Sequence, residues 1–445
     1  MRVLVGIVLT AIIIISTAAD SLGQGLSARE GGAVPNSDSI LRSMEQRLQH
    51  YRSKSRLSDS EKVAYSTICN DLAILHRQND RLAIAEQFYE TAYHIRKALV
   101  EKSDRYLPLW ADILNNYGLY FIDIDDCDLA IYYLSKALEI RLADSTSSPD
   151  ILADNYDNLA YALYKHKQPT EAATNYEKAR SIRRNLISTS NTPEHYIADY
   201  ISTMQNLAAL YKQNNHAIDA LAAMIELRET LSQLHTNSPS EYLHEIANAE
   251  HNTALLYGML KQKAQAADAM NLAIKDYNIL ALQDRDRYLP EVATALNQAA
   301  IYYSDLGDYA NAEKYYKKAL DINTSLYADH IIDPYDVAGN LNNLGRLYYD
   351  QSKMEEAKSC YVKARKIFDD TDPADIKAVL TKAMTYINIV MYYIYEKNSG
   401  IVSDEYKNCG KYLRDTIESL RPFLYNVSAS YYHDYAHKLL DTLTN

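Results

Sequence analysis

The chain has 445 residues, with 46 Lys plus Arg against 58 Asp plus Glu and a formal net charge of −12. That balance argues against a nucleic-acid partner, because no basic stripe exists to neutralise phosphates. With 12 Gly and 10 Pro, and 40 Tyr beside 4 Phe and 1 Trp, the composition suits a helical chain with few long loops. Its half-exposed faces can carry Tyr, whose ring packs while its hydroxyl stays wet.

Residues 1–19 have the layout of a secretory signal peptide: Arg2, an apolar run from Val3 to Ile15, then small residues to a cut after Ala18 or Ala19. A later cut near Gln24 is the variant reading. The run is short for a membrane span, which needs ~20 residues, and an uncleaved anchor is the alternative. No Cys stands near the cut for a lipid anchor, the first being Cys69. The chain is thus expected to be exported, periplasmic or extracellular, with no membrane insertion after cleavage. Residues 20–57 read as a flexible leader followed by a helix from about Ser39 to Ser53, with Leu41, Met44, Leu48 and Tyr51 at helical spacing.

From 58 to 368 one pattern recurs. A small residue is followed twelve places later by Ala, and seven places after that by a third member. The triplets are Ala73, Ala85, Ala92; Gly118, Ala130, Ala137; Ala160, Ala172, Ala179; Ala208, Ala220, Leu227; Ala254, Ala266, Ala273; Ala300, Ala312, Ala319; and Gly345, Ala357, Ala364. First members lie 45, 42, 48, 46, 46 and 45 residues apart, so all length variation falls between one helix pair and the next. Small residues at such points let two helices approach closely, so each copy reads as a helix, a tight turn and a second helix packed back on the first. Seven copies of one fixed twelve-then-seven spacing mean stacked units that bury their apolar faces on one another.

The fullest copies, ALNQAAIYYSDLGDYANAEKYYKKALDI from Ala295 and LNNLGRLYYDQSKMEEAKSCYVKARKIF from Leu341, resemble a tetratricopeptide repeat (TPR). These repeats are longer than the family's usual one. Pro108, Pro149, Pro193, Pro239, Pro290 and Pro334 each stand ten to fifteen residues before the next small residue, at or before a helix's first turn, where a missing N–H is tolerated. Stretches such as PEVATALNQAA, PYDVAGNLNNLG and PDILADNYDNLA are similar to the long repeats of kinesin light chains. The resemblance implies an all-α, right-handed α-solenoid of helix pairs that binds a protein or peptide. It does not carry over the motor cargo role, which a signal peptide contradicts.

After Phe368 the pattern loosens. Residues 369–421 read as a degenerate eighth repeat: Pro373, a helix from roughly Asp375 to Lys397 with Asn388 at the period, a break at Gly400, and a second helix from Ser403 to about Leu420. Residues 422–445 read as a terminal amphipathic helix that caps the stack.

Two columns precede each first small residue. The nearer is Asp71, Asn116, Asn158, Asn206, Asn252, Gln298 and Asn343. The farther is Asn70, Asn115, Asp157, Gln205, His251, Asn297 and Asn342. By the resemblance they line the concave groove, where amides that both donate and accept could hold an extended peptide backbone. The competing reading is that these Asn join neighbouring repeats, with the farther column leaning to ligand. Tyr161 and Arg346 lie beside the columns, as do Ile74, Leu119, Ala209, Leu255 and Ile301.

Other constellations are weak. His433 and His437 stand four apart without a third ligand, so no metal is assigned. DIDDCD, from Asp123 to Asp128, lacks the Gly and closing Glu of a calcium loop. His244 and His251 do not form HExxH. No cofactor motif and no catalytic constellation appears, and the chain is read as a non-enzyme. Of the four Cys, Cys69 and Cys360 read as small buried residues, Cys127 and Cys409 being the others; a Cys360–Cys409 bond between neighbouring helices is the alternative. The expected function is an exported scaffold or adaptor for a protein or peptide. An extracytoplasmic sensor or accessory subunit of a signalling or uptake complex is the alternative.

Overall fold

A computed structural model describes residues 37–235, 241–369, 375–400 and 403–444. Residues 1–36, which include the stretch read as a signal peptide, and Pro239 and Pro373 lie outside the described residues. The described residues are helical throughout, with no strand among them. Helix α1 is Ser37–Arg52. Seven pairs follow: α2 Asp59–Gln78 with α3 Leu82–Val100, α4 Leu107–Asp123 with α5 Cys127–Ala143, and α6 Pro149–Lys165 with α7 Pro169–Thr189. Then come α8 Glu194–Gln213 with α9 Ala217–His235, α10 Leu243–Met259 with α11 Lys263–Ala281, α12 Arg285–Asp305 with α13 Tyr309–Ala328, and α14 Pro334–Asp350 with α15 Met354–Asp369. Helices α16 Ile376–Asn398, α17 Cys409–Leu420 and α18 Val427–Thr444 complete the chain. The fold class is an α-solenoid of tetratricopeptide-type helix pairs.

The pairs are closed by a turn repeated seven times. Asp80, Asp125, Lys167, Asn215, Lys261, Gly307 and Ser352 each stand seven residues after the first small residue, with φ between +57° and +79°. The next residue's N–H reaches back five places to a helix carbonyl, as in Arg81 N to His76 O (2.8 Å), Gln262 N to Tyr257 O (2.9 Å) and Lys353 N to Tyr348 O (2.9 Å). This left-handed closure satisfies the orphan carbonyls of the first helix. Only one copy uses Gly, so six copies hold a side chain where the backbone disfavours one. Several helix starts carry a side-chain cap. Ser58 and Glu61 form a reciprocal box, and Asp126, Asp284, Asp308 and Asp375 each accept an N–H from the first turn.

Pro290 departs from expectation. It does not open α12 but lies inside it, because Asp284 caps a start one turn earlier and the chain runs helical from Arg285. The same DRYLP string at 104–108 instead makes a short 3-10 turn before α4.

All members of the small-residue triplets are buried. In the copies that lie wholly within one unit, the residue sixteen places after each first member is large and buried: Tyr89, Leu134, Tyr176, Met270, Tyr316 and Tyr361. The fit is tightest at the glycines. A Cβ on Gly118 would lie 2.7 Å from Leu134 Cγ, and one on Gly345 would lie 2.7 Å from Tyr361 Cε1.

The helices form two compact units, divided within α9 between Ala223 and Met224. In the first unit a continuous core runs from Leu48 on α1 to Leu210 on α8. In the second, one cluster centres on Met270, Tyr277 and Tyr302, another on Tyr361, Tyr392 and Leu413. Within each unit, second helices pack on the next first helix, and several first helices also touch one another, α2 on α4 and α14 on α16 among them. Such contacts, of α2 with α4 and of α4 with α6, bring the amide columns of successive repeats together. All four cysteines are free, so the Cys360–Cys409 bond does not form.

Candidate functional site

In the first unit the amides bond to one another. Asn116 Nδ2 donates to Asn70 Oδ1 (3.0 Å), and Asn158 Nδ2 donates to Asn115 Oδ1 (3.1 Å). In both cases the nearer column of one repeat donates to the farther column of the repeat before it. Within a repeat, Asn115 Nδ2 donates to Asn116 Oδ1 (3.2 Å) and Asn70 Nδ2 to Asp71 Oδ1 (3.4 Å). A further Asn, Asn155 on α6, also donates to Asn115 Oδ1, and Arg141 Nη1 donates to Asn155 Oδ1 (2.7 Å). The result is one chain of donors, from Arg141 through Asn155, Asn115, Asn116 and Asn70 to the carboxylate of Asp71.

This arrangement differs from an open, solvated ladder. Asn70, Asn115 and Asn158 are buried, Asn116 is half-buried, and their amides are largely engaged by one another. The physical reason is that first helices touch side by side, which puts polar groups at these two positions out of water, where they must find partners. Asp157 keeps the column but not the pattern, since it accepts from Thr203 Oγ1 (2.9 Å) and from Arg183. Asn206 is buried with Oδ1 lacking a partner, and Gln205 is half-buried. Tyr161 is half-buried, its ring stacked on Tyr164 at 6.4 Å, and burial raises its hydroxyl pKa.

In the second unit the pattern returns once and is less filled. Asn343 Nδ2 donates to Asn297 Oδ1 (3.0 Å), both residues half-buried. Asn342 is fully buried and donates to Thr385 Oγ1 on α16 (2.6 Å). Gln298 is buried, while Asn252 is exposed and donates to its own helix at Asn248 O (3.0 Å). His251 is half-buried with its ring edge against Tyr277. Arg346 is half-buried and its Nε meets both carboxylate oxygens of Asp350 at 3.0 Å.

One column carries interactions the sequence reading passed over. Four residues after the third triplet member stand Arg96, Arg141, Arg183, Tyr277 and Asn323, all buried, with apolar Leu231 and Phe368 in the other two copies. Arg183 pairs with Asp154 (2.7 Å) and Asp157 and bonds Thr203. Arg141 pairs with Asp112 (2.6 Å), Arg96 donates to Leu109 O (2.8 Å), Tyr277 to Asn248 Oδ1 (2.6 Å), and Asn323 to Asn340 Oδ1 (2.7 Å). Burial pulls the Arg183 pKa down against the opposing pull of Asp154. The fixed offset was the available signal: a polar residue at a helical position that should be apolar.

Asp150, Asp154 and Asp199 bring carboxylate oxygens within 4.8 Å of one another, but the Arg183 guanidinium sits against them. The rings of His433 and His437 meet edge to face, with centroids 4.7 Å apart. The DIDDCD carboxylates are taken up by Arg77 (Asp123, 2.9 Å), Lys165 (Asp125, 2.7 Å) and the α5 cap (Asp126).

Two family profiles, both described as tetratricopeptide repeat, match the chain, one at residues 291–370 and the other at 66–105 and 152–195. No curated protein matches it. Among solved structures, the apo form of RapI is 16% identical over 92% of this chain and 98% of its own, with a TM-score of 0.54. The kinesin light chain TPR-like repeats of Podosopora anserina are 17% identical over 52% of this chain and 100% of their own, at 0.39. NprR in complex with its cognate peptide NprX is 14% identical over 73% and 82%, also at 0.39. The likeness to RapI is one of fold.

Proposed function

From the premise that the chain is a tetratricopeptide-repeat protein, we propose that it is an exported scaffold that binds a protein or an extended peptide on its first-helix face. The family's binding habit supports this, and so does the layout of residues 1–19 for export. The observation that carries it is the Asn297–Asn343 pair. Their mutual bond uses Asn343 Nδ2 and Asn297 Oδ1, which leaves a donor on Asn297 and an acceptor on Asn343. An extended backbone presents the matching acceptor and donor. In the first unit the amides bond to one another across repeats.

The test begins with a pull-down from an envelope extract using the chain without residues 1–19. Partner affinity is then compared for the wild type, Asn297→Ala with Asn343→Ala, and Asn342→Ala. The double variant should weaken binding roughly tenfold or more if both bonds are made, since ~1.4 kcal/mol is one decade, with little loss of melting temperature. Asn342→Ala should lower melting temperature first, because its amide is buried and bonded. Unchanged affinity in the double variant would place the site elsewhere.

A further inference from the structure

Glu250 breaks a column that is apolar in every other repeat. Four residues before the first small residue stand Cys69, Leu114, Tyr156, Met204, Leu296 and Leu341, all buried, and Glu250 occupies that place on α10. Three residues on, one turn along the same face, Thr253 stands where Leu72, Tyr117, Leu159, Leu207, Ala299 and Leu344 pack. Glu250 is 7% exposed and Thr253 1%. Glu250 Oε2 and Thr253 Oγ1 are both shut off from solvent, and neither has a hydrogen-bond partner among the described residues.

The ionisable groups that face Glu250 are Arg228 on α9 and Lys275, Asp276 and the Tyr277 hydroxyl on α11. Neither cation forms an ion pair with it among the described residues, and Asp276 repels it. A lone carboxylate out of water is costly, so the neutral acid is the form that fits. Burial first, then Asp276, pushes the Glu250 carboxyl up to about 7.

We propose that Glu250 is a proton-operated latch: α10 seats fully against α11 only while this carboxyl is protonated, and the His251–Asn252 face of α10 loosens when the proton leaves. The direction follows from linkage. The unfolded chain gives up this proton near 4.5 and the folded chain near 7, so the fold holds the extra proton between those values. Stability from this group is greatest at acid pH, falls as pH rises from about 4.5 to about 7, and is flat beyond. The latch stands whether or not the face binds a peptide.

The experiment is melting temperature against pH, from 5 to 8, for the full chain and for Glu250→Gln, Glu250→Leu and Thr253→Val. His244 and His251 are retained throughout, so differences between curves isolate position 250. The wild type should lose melting temperature relative to Glu250→Gln as pH rises to about 7, and Thr253→Val should run parallel to the wild type because it removes no titrating group. Leu, the occupant of this column at positions 296 and 341, serves if the Gln variant fails to fold. Deuterium exchange at matched intrinsic rates should show residues 243–259 losing protection at pH 8 in the wild type and keeping it in Glu250→Gln. Parallel wild-type and Gln curves, or a loss of protection confined to other helices, would overturn the proposal.

Discussion

At the scale of single residues, the turn between paired helices is where side-chain identity and backbone conformation conflict most plainly. Lys261 sits at φ +60° and Gly307 at φ +79° in the equivalent place. A non-Gly residue there costs ~1–2 kcal/mol, offset in part by the larger entropy Gly loses on folding. Lys261→Gly should therefore raise stability by up to about 1 kcal/mol, and Gly307→Lys should lower it by a similar amount. Urea melts of the two variants check this, and like signs would show that the turn tolerates either residue. The cysteines give a second residue-scale expectation. Burial raises the thiol of Cys360 to about 11 and those of Cys69 and Cys409 to about 12, so very little thiolate exists at neutral pH. Native chain treated with a thiol reagent at pH 8 should react first at half-buried Cys127, with the other three released only on unfolding.

At the scale of elements, Asn115 holds more of the stack together than its neighbours do. It accepts from Asn155 and Asn158 and donates to Asn116. Asn115→Ala should cost about 2–3 kcal/mol, since it strands the two buried amides of Asn155 and Asn158 on α6. Asn252→Ala, at an exposed site, should stay within ~0.5 kcal/mol. Comparing their melting temperatures tests this, and equal effects would remove the structural role given to Asn115. The helix pairs themselves were legible because twelve-then-seven spacing follows from how closely two helices can pack, as Gly118 against Leu134 illustrates. The amide columns were legible as columns. Their bonding was not, because it depends on the lateral contact between first helices of successive repeats, which a linear period of 42 to 48 residues leaves undetermined. Pro290 failed as the marker of a first turn because the Asp284 cap starts α12 further upstream. The buried Arg column was readable at its fixed offset but resembles ordinary surface charge until the stack is assembled.

At the scale of the whole molecule, each unit carries its own core, and an array of repeats loses structure from its weakest end. Removing residues 427–445 takes α18 off α17 and α16, and with it Ala429, Tyr432 and Ala436 leave the core cluster that also holds Tyr392, Leu413 and Leu420. The truncated chain should show an added low-temperature loss of helicity, while the transition of the unit ending at Ala223 stays in place. A single shifted transition would instead make the chain one cooperative body. The amide chain in that first unit has a last consequence. Every carboxamide between Arg141 and Asp71 points the same way, and reversing any one would set nitrogen against nitrogen on one side and oxygen against oxygen on the other. The row behaves like magnets laid nose to tail: it has two states, all forward or all reversed, and the cation at one end and the anion at the other select between them. Three repeats thus share a single binary setting. Asn116→Asp, which alters almost nothing in shape, would push the mismatch along the row until two oxygens met at Asp71.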